Sequence, residues 1–312
     1  MNIIELKEIL MNVPVDVIRF FAEKNELLVN GQNKDEMVES LVHSASKSDK
    51  LQELESIASE YRFAGRTAID WYVCLEPNIM QLGEVEERIV ERFSTDAFTY
   101  GRLRPPLSKD PKLIFANIDR DRNQILLMFA YNGPMRRILV NYEPRVDYPT
   151  FFDYAVLKFN PFTIEVRANF NMSKRIKNVI LSILGLKEDI FKRLEIIGDD
   201  NTEKLRQRLD AYVQLARHQG IIGDYDWIEV LADAESGDLS NSEHYQREIA
   251  IAPSKRKILT FDHTYSFGLT ERVTLEINTE EGRIWFRSAV GEEVIQRVLE
   301  QVLAISKEGG RK

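Results

Sequence analysis

Between Leu113 and Phe170 the hydrophobic pattern has the short period of strands, and this limits the chain more than any other feature. Residues 113–118, 124–131, 137–142, 151–158 and 163–170 are short runs rich in β-branched and aromatic side chains. The clusters Asp119-Arg120-Asp121-Arg122-Asn123, Asn132-Gly133-Pro134, Pro144 to Pro149 and Asn160-Pro161 separate them, and each is composed of turn formers. Runs this short and this regularly interrupted predict an antiparallel meander or a small barrel. A helix is expected over residues 173–184, capped by Ser173 and stopped by Gly185.

The flanks read differently. Before residue 65 the apolar positions Ile4, Leu6, Ile9, Leu10 and Val13 share a helical face, and Val17, Ile18, Phe20 and Phe21 form a second stripe after Pro14. Asn33 is a candidate cap for a third helix bearing Met37, Val38, Leu41 and Val42, with Asp35 and Glu36 favouring its N-terminal end. A fourth helix is expected over 50–66, and helix is expected to continue over 67–99 before a hinge at Gly101-Arg102-Leu103-Arg104-Pro105-Pro106. In the last third, helices are predicted over 201–219, ending at Gly220, and over 292–305. Strands are predicted over 257–261, 271–278 and 283–288, and Gly309-Gly310-Arg311-Lys312 reads as a frayed tail. The expectation is an α+β protein in three domains. These are a helical one over 1–99, a basic β-rich one over 100–190, and an α+β interaction domain over 191–312.

Length and composition narrow the class. The 312 residues exceed one ordinary core, and 29% charged residues beside 44% hydrophobic ones are the balance of a water-soluble globular protein. The charged, interrupted N-terminus lacks the apolar stretch of an export signal, and no apolar run approaches the length of a membrane span. An intracellular protein is expected, cytoplasmic if prokaryotic and nuclear if eukaryotic. Cys74 is the one cysteine, which leaves no internal disulfide or cysteine zinc site, and its apolar neighbours suggest a thiol packed as a small hydrophobe.

Signatures of catalysis are sparse. His43, His218, His244 and His263 have no metal-ligand spacing, and neither a nucleophile elbow nor a glycine-rich phosphate loop is present. No cofactor or metal is expected, and the reading is that of a protein that is not an enzyme. A metal-dependent nuclease is the best catalytic alternative, because Asp153 and Glu165-Val166-Arg167 place two acids on successive predicted strands.

Charge supplies the positive argument. The whole chain carries −8, yet residues 100–193 hold 17 Lys and Arg against 9 Asp and Glu. A localised excess of this kind favours polyanions. Arg102, Arg104, Lys109 and Lys112 precede the β region, and Arg136 and Arg137 adjoin the Asn132-Gly133-Pro134 turn. Arg167, Lys174, Arg175 and Lys177 surround the junction of the last strand and its helix. Arginine and lysine on loops near a helix N-terminus suit a phosphate backbone. The candidate contacts are Arg102, Arg104, Arg136, Arg137, Arg167, Lys174, Arg175 and Lys177. Tyr131, Tyr142, Tyr148 and Phe152 lie among them, and aromatics alternating in strands belong more often to a core.

Several segments resemble the centromere protein N family. They are Ile9-Leu10-Met11-Asn12-Val13-Pro14-Val15-Asp16-Val17-Ile18, then Lys34 to His43, Arg137 to Tyr142, Tyr148-Pro149-Thr150-Phe151-Phe152, and Thr163-Ile164-Glu165-Val166-Arg167 leading into 174–184. The resemblance spans roughly residues 5–185. It implies a non-enzymatic reader of DNA or chromatin that pairs with a related partner through its C-terminal region. The family's first helix carries a basic pair that touches the nucleosome, where this chain has only Lys7 beside Glu8. Nucleosome recognition therefore does not carry over, whereas backbone binding through the central cations does. Residues 27–41 also resemble a SAP-type helix-extended-helix module, which again implies DNA. The leading expectation is a DNA- or nucleoprotein-binding subunit with a protein partner, or a second copy, on its C-terminal domain. The alternative is a protein-interaction scaffold whose basic face meets an acidic partner.

Overall fold

The computed structural model describes residues 3–31, 33–63, 67–76, 79–222, 225–232 and 237–309. Along the chain run helices α1 (Ile3–Leu10), α2 (Val15–Lys24), α3 (Lys34–Lys47) and α4 (Leu51–Tyr61), strand β1 (Ala68–Cys74) and helix α5 (Leu82–Phe93). Strands β2 (Lys112–Asp119), β3 (Gln124–Asn132), β4 (Arg136–Val140), β5 (Glu143–Asp147), β6 (Thr150–Lys158) and β7 (Thr163–Arg167) follow, then α6 (Phe170–Leu184). The remainder is β8 (Phe191–Leu194), α7 (Gly198–Leu209), β9 (Tyr212–Ile222), β10 (Tyr225–Leu231), β11 (Ser254–Thr264), β12 (Thr270–Asn278), β13 (Arg283–Phe286) and α8 (Glu292–Gly309). The fold is α+β, with an N-terminal helical region and extensive antiparallel pairing.

The chain divides into two compact units. One comprises Met1–Thr67 with Glu195–Lys312, and the other, here the central unit, is Ala68–Leu194. In the first, α1 to α4 bury Leu6, Leu10, Val17, Phe21, Leu41 and Leu54. Asn33 caps α3, its side chain accepting from the Glu36 amide at 3.0 Å. The strands of that unit are ordered β10-β9-β11-β12-β13, each antiparallel to its neighbour. The apolar stripe of α8, Val294, Ile295, Val298, Leu299 and Val302, is fully buried within the unit.

In the central unit the order is β8-β1-β7-β6-β3-β2, again antiparallel throughout. This is the open meander rather than the barrel. Helices α5 and α6 give Val85, Ile89, Ile176 and Ile180 to a core shared with Leu127, Phe129, Leu157, Ile164 and Val166 of the sheet. Successive residues of a strand face opposite sides. Leu157 opposite Ile164 and Ala155 opposite Val166 therefore set the helix-covered face. Glu165, opposite Val156 and Trp71, belongs to the other.

Three local expectations change. Residues 67–99 begin with β1, not helix: Ile69, Asp70, Trp71 and Tyr72 are all buried, so no polar alternation marks the strand. The helix expected over 201–219 ends at Leu209, where Asp210 takes the left-handed conformation at φ 55°, and β9 begins at Tyr212. The cap of α6 is Asn169, accepting from the Met172 amide at 3.1 Å, while Ser173 is buried one turn further on. Gly185 does stop that helix, at φ 60°. Residues 64–66, the end of the expected fourth helix, and 310–312 of the expected tail lie outside the described residues.

Candidate functional site

Strand β3 ends at Asn132 and β6 starts at Thr150, and the two pair continuously down to Gln124 opposite Lys158. Between those ends the chain leaves the sheet as a separate two-stranded arm, β4 with β5, in the register Arg136 opposite Asp147 to Val140 opposite Glu143. The arm is anchored at its base. The Gly133 amide donates to Pro149 O at 2.8 Å, and the ring of Phe151 lies so close that a side chain at Gly133 would collide with it.

The tip is the two-residue turn Asn141-Tyr142, with φ of 51° and 66°. Two left-handed residues are what a tight hairpin needs for its twist to match the strands, and Asn-Gly is the usual solution. Tyrosine in the second position costs about 1–2 kcal/mol of backbone strain. Its ring contributes nothing to the fold in return, being 98% exposed.

Alternation divides the arm into two faces. Arg136 and Ile138 face one way with Asp147, Arg145 and Glu143. Arg137 and Leu139 face the other with Val146 and Pro144. Leu139 is 76% and Val146 56% exposed, and Met135, Tyr148 and Phe152 are at least half exposed. The expectation that the aromatics here are core holds for Tyr131, which is buried, and fails for Tyr142, Tyr148 and Phe152. Pairing in a free hairpin satisfies strand periodicity without any core behind it, so sequence alternation alone could not tell the two apart.

A loop over residues 99–111 adjoins the same end of the sheet. The Asn132 amide donates to Ser108 O at 2.7 Å, and its side chain to Leu107 O at 3.3 Å. Arg104 of this loop and Phe152 of β6 line a shallow apolar pocket of about 280 Å³ with Leu103, Pro105 and Ala130. The Arg104 Nε donates to Gly101 O at 2.8 Å, which fixes the root of its guanidinium. On the other face of the sheet Asp153 accepts from Tyr131 OH at 2.7 Å. Burial pushes its carboxyl up to about 6 even though that hydrogen bond favours the charged form.

The eight candidate cations separate into two groups. Arg167 is buried and bonded to Glu165 at 2.5 Å, so it is a core ion pair rather than a surface charge. Burial alone would raise the Glu165 carboxyl. Lys158 at 3.1 Å, Arg167 and the Trp71 indole N–H at 2.8 Å overcome this and bring it to about 2. Lys177 is buried over the Tyr72 ring and paired to Glu188, and Arg175 is paired to Asp110. These three are neutralised within their own unit. Arg102, Arg104, Arg136, Arg137 and Lys174 are exposed, and no carboxylate pairs with them among the described residues. Arg102 and Arg104 lie on the loop and Arg136 and Arg137 at the root of the arm, so four of them belong to one end of the sheet. The Arg175–Asp110 bridge ties α6 to the same loop, with Lys174 and Lys109 as its sequence neighbours.

Other chemistry is thin. Asp153 lies opposite Phe129 and Glu165 opposite Val156, which puts the two acids on opposite faces of the sheet, where they cannot share a metal ion. Among the described residues no group of three or more His, Cys, Asp or Glu is placed to hold one. At the other end of the same strands, a cavity of about 930 Å³ is lined by Cys74, Arg120, Asn123 and Pro161. Burial pushes the Cys74 thiol up, away from the reactive thiolate, and Arg120 is engaged by Glu86 at 3.0 Å. No described helix is long and apolar enough to cross a membrane. No model of a known protein family matches the chain, and neither does any curated protein.

Proposed function

We propose that the chain is a non-catalytic binding subunit that holds the phosphate backbone of a nucleic acid at the arm-bearing end of its central unit. The observation that carries this reading is the set of five exposed cations, Arg102, Arg104, Arg136, Arg137 and Lys174, that form no carboxylate bridge among the described residues, Lys174 lying over the Phe170 ring and within the field of Glu188. The loop bonded to Asn132 and the root of the arm bring four of them to that end. Charge-assisted contacts to phosphate are worth most where the cation is not already satisfied. Binding to DNA should therefore fall with salt at a log–log slope of about −4, each phosphate contact contributing about −0.9. The double substitution Arg136→Ala, Arg137→Ala should reduce that slope by about 2. A wild-type protein that binds neither duplex nor single strand at low salt would end this reading.

The exposed Leu139 and Val146 on one face of the arm favour a second reading, a protein partner docked there. The C-terminal helix suits a partner less well than its sequence suggests, because its apolar stripe is consumed inside its own unit. The exposed apolar residues of that third include Trp227 and Trp285, and Arg217 and Arg287 already stack on them at 4.1 and 4.4 Å. Co-purification of a tight protein complex, with no affinity for nucleic acid, would select this second reading.

A further inference from the structure

Resting on the nucleic-acid reading, we infer that Tyr142 is a stacking wedge, and that the ligand is a nucleic acid with accessible base faces, a single strand in preference to an intact duplex. Three observations lead there. The turn that forms the tip calls for glycine in the position Tyr142 occupies, and the chain instead holds a tyrosine at φ 66°. Strain retained where the fold gains nothing points to a use outside the fold. The ring is 98% exposed, with an edge and both faces open to a planar partner. One pair further down the arm, beyond Val140 opposite Glu143, Leu139 and Pro144 form an apolar cross-strand pair.

Reach fits the same conclusion. Arg137 lies three residues before Val140, the last strand residue ahead of the turn, which is about 10 Å at about 3.3 Å per residue, and the turn carries Tyr142 beyond it. A tip that far from the root can pass the backbone and meet bases while the root arginines remain on phosphates, since duplex grooves are about 8 Å deep. Stacking on an aromatic ring needs no base identity, because every base has a π-face. A single strand offers those faces without the cost of opening a duplex, which is why it is the favoured ligand.

The test uses the full chain with a dT oligonucleotide carrying one 2-aminopurine, and a duplex of equal length. Wild type should quench the 2-aminopurine and bind the single strand more tightly than the duplex. Tyr142→Ala should lose the quenching and weaken single-strand binding about ten-fold, with the salt slope unchanged because no phosphate contact is removed. Tyr142→Trp should restore both signals. Equal binding by wild type and Tyr142→Ala, or a preference for duplex, overturns the wedge while the salt slope leaves the backbone reading standing. Absence of any wild-type binding removes both together. Circular dichroism of each variant reports that the fold is kept, as expected for a side chain without contacts.

Discussion

Asp153 and Tyr142 show how single residues at this site trade stability for readiness. With its folded-state value raised to about 6, the Asp153 carboxyl holds its proton more tightly in the native state than in the unfolded chain. Its stabilising contribution is complete below the ordinary carboxylate range and is lost as pH rises through about 6. Asp153→Asn should therefore flatten the fall in stability between pH 4 and 6. Above that range it should gain about 1 kcal/mol, a figure discounted for partial exposure. Denaturant unfolding at pH 4 and pH 7 measures the difference. Tyr142→Gly should add about 0.5–1 kcal/mol by relieving the left-handed strain, less the entropy a glycine gives the unfolded chain, and thermal unfolding would show it. Neither effect could be foreseen from composition. The block of cations was legible as a charge excess, and five of its eight nominated members are exposed. Arg167, Arg175 and Lys177 were indistinguishable from them until tertiary structure brought Glu165, Asp110 and Glu188 into contact.

Among elements, β2, β3, β6, β12 and β13 fall close to where their runs put them; β12 and β13 alternate in burial, whereas β3, buried from Gln124 to Tyr131, is marked by the turn formers that bound it. Those missed are the ones whose pattern is erased. Strand β1 is buried on both faces, β9 continues a helix-compatible stretch past an Asp210 that only the fold holds left-handed, and β8 has four residues. The polar cluster on β6 and β7 is the element-scale feature with most at stake. Glu165 lies between Lys158, Arg167 and the Trp71 indole, and removing any partner strands a buried charge. Arg167→Ala should cost about 3–5 kcal/mol, whereas Glu165→Leu with Arg167→Met should cost less, because neither member of the fully buried pair is left alone and only the partly exposed Lys158 loses its bridge to Glu165. Urea unfolding of the two variants distinguishes the cases. The arm should behave in the opposite way. Its strands pair only with each other among the described residues, and β3 and β6 are in register up to Asn132 opposite Thr150. Replacing residues 134–148 with a two-residue glycine turn should leave the melting temperature within a few degrees of wild type while weakening ligand binding and lowering its salt slope by about 2.

At the scale of the whole chain, one order of elements occurs twice. A strand, a helix, four strands and a helix run from β1 through α5, β2, β3, β6 and β7 to α6. The same order runs from β8 through α7, β9, β11, β12 and β13 to α8, with β4–β5 inserted in the first pass and β10 in the second. A faint trace survives in Ile164-Glu165-Val166-Arg167 of β7 and Ile284-Trp285-Phe286-Arg287 at β13, and each arginine reaches a glutamate, Glu165 and Glu276. The same topology needs only apolar side chains on one face, which many sequences satisfy. From α7 onward the second pass shares its unit with the N-terminal helices, so residues from both ends of the chain are joined in one core. Tyr61 OH donates to Glu271 at 3.2 Å, Lys24 to Phe267 O at 2.7 Å, and the Glu293 amide to Glu60 at 3.1 Å. Tyr61 is buried and also meets the Tyr265 ring at 6.0 Å. Truncating it in Tyr61→Ala should cost about 3 kcal/mol. Native-state hydrogen exchange should then quicken together in α1–α4 and in β12 and α8, more than two hundred residues away in sequence, because a shared core opens cooperatively. Acceleration confined to the four N-terminal helices would instead mean that the ends open separately, and that the bonds from Tyr61, Lys24 and Glu60 add little to the cohesion of the unit.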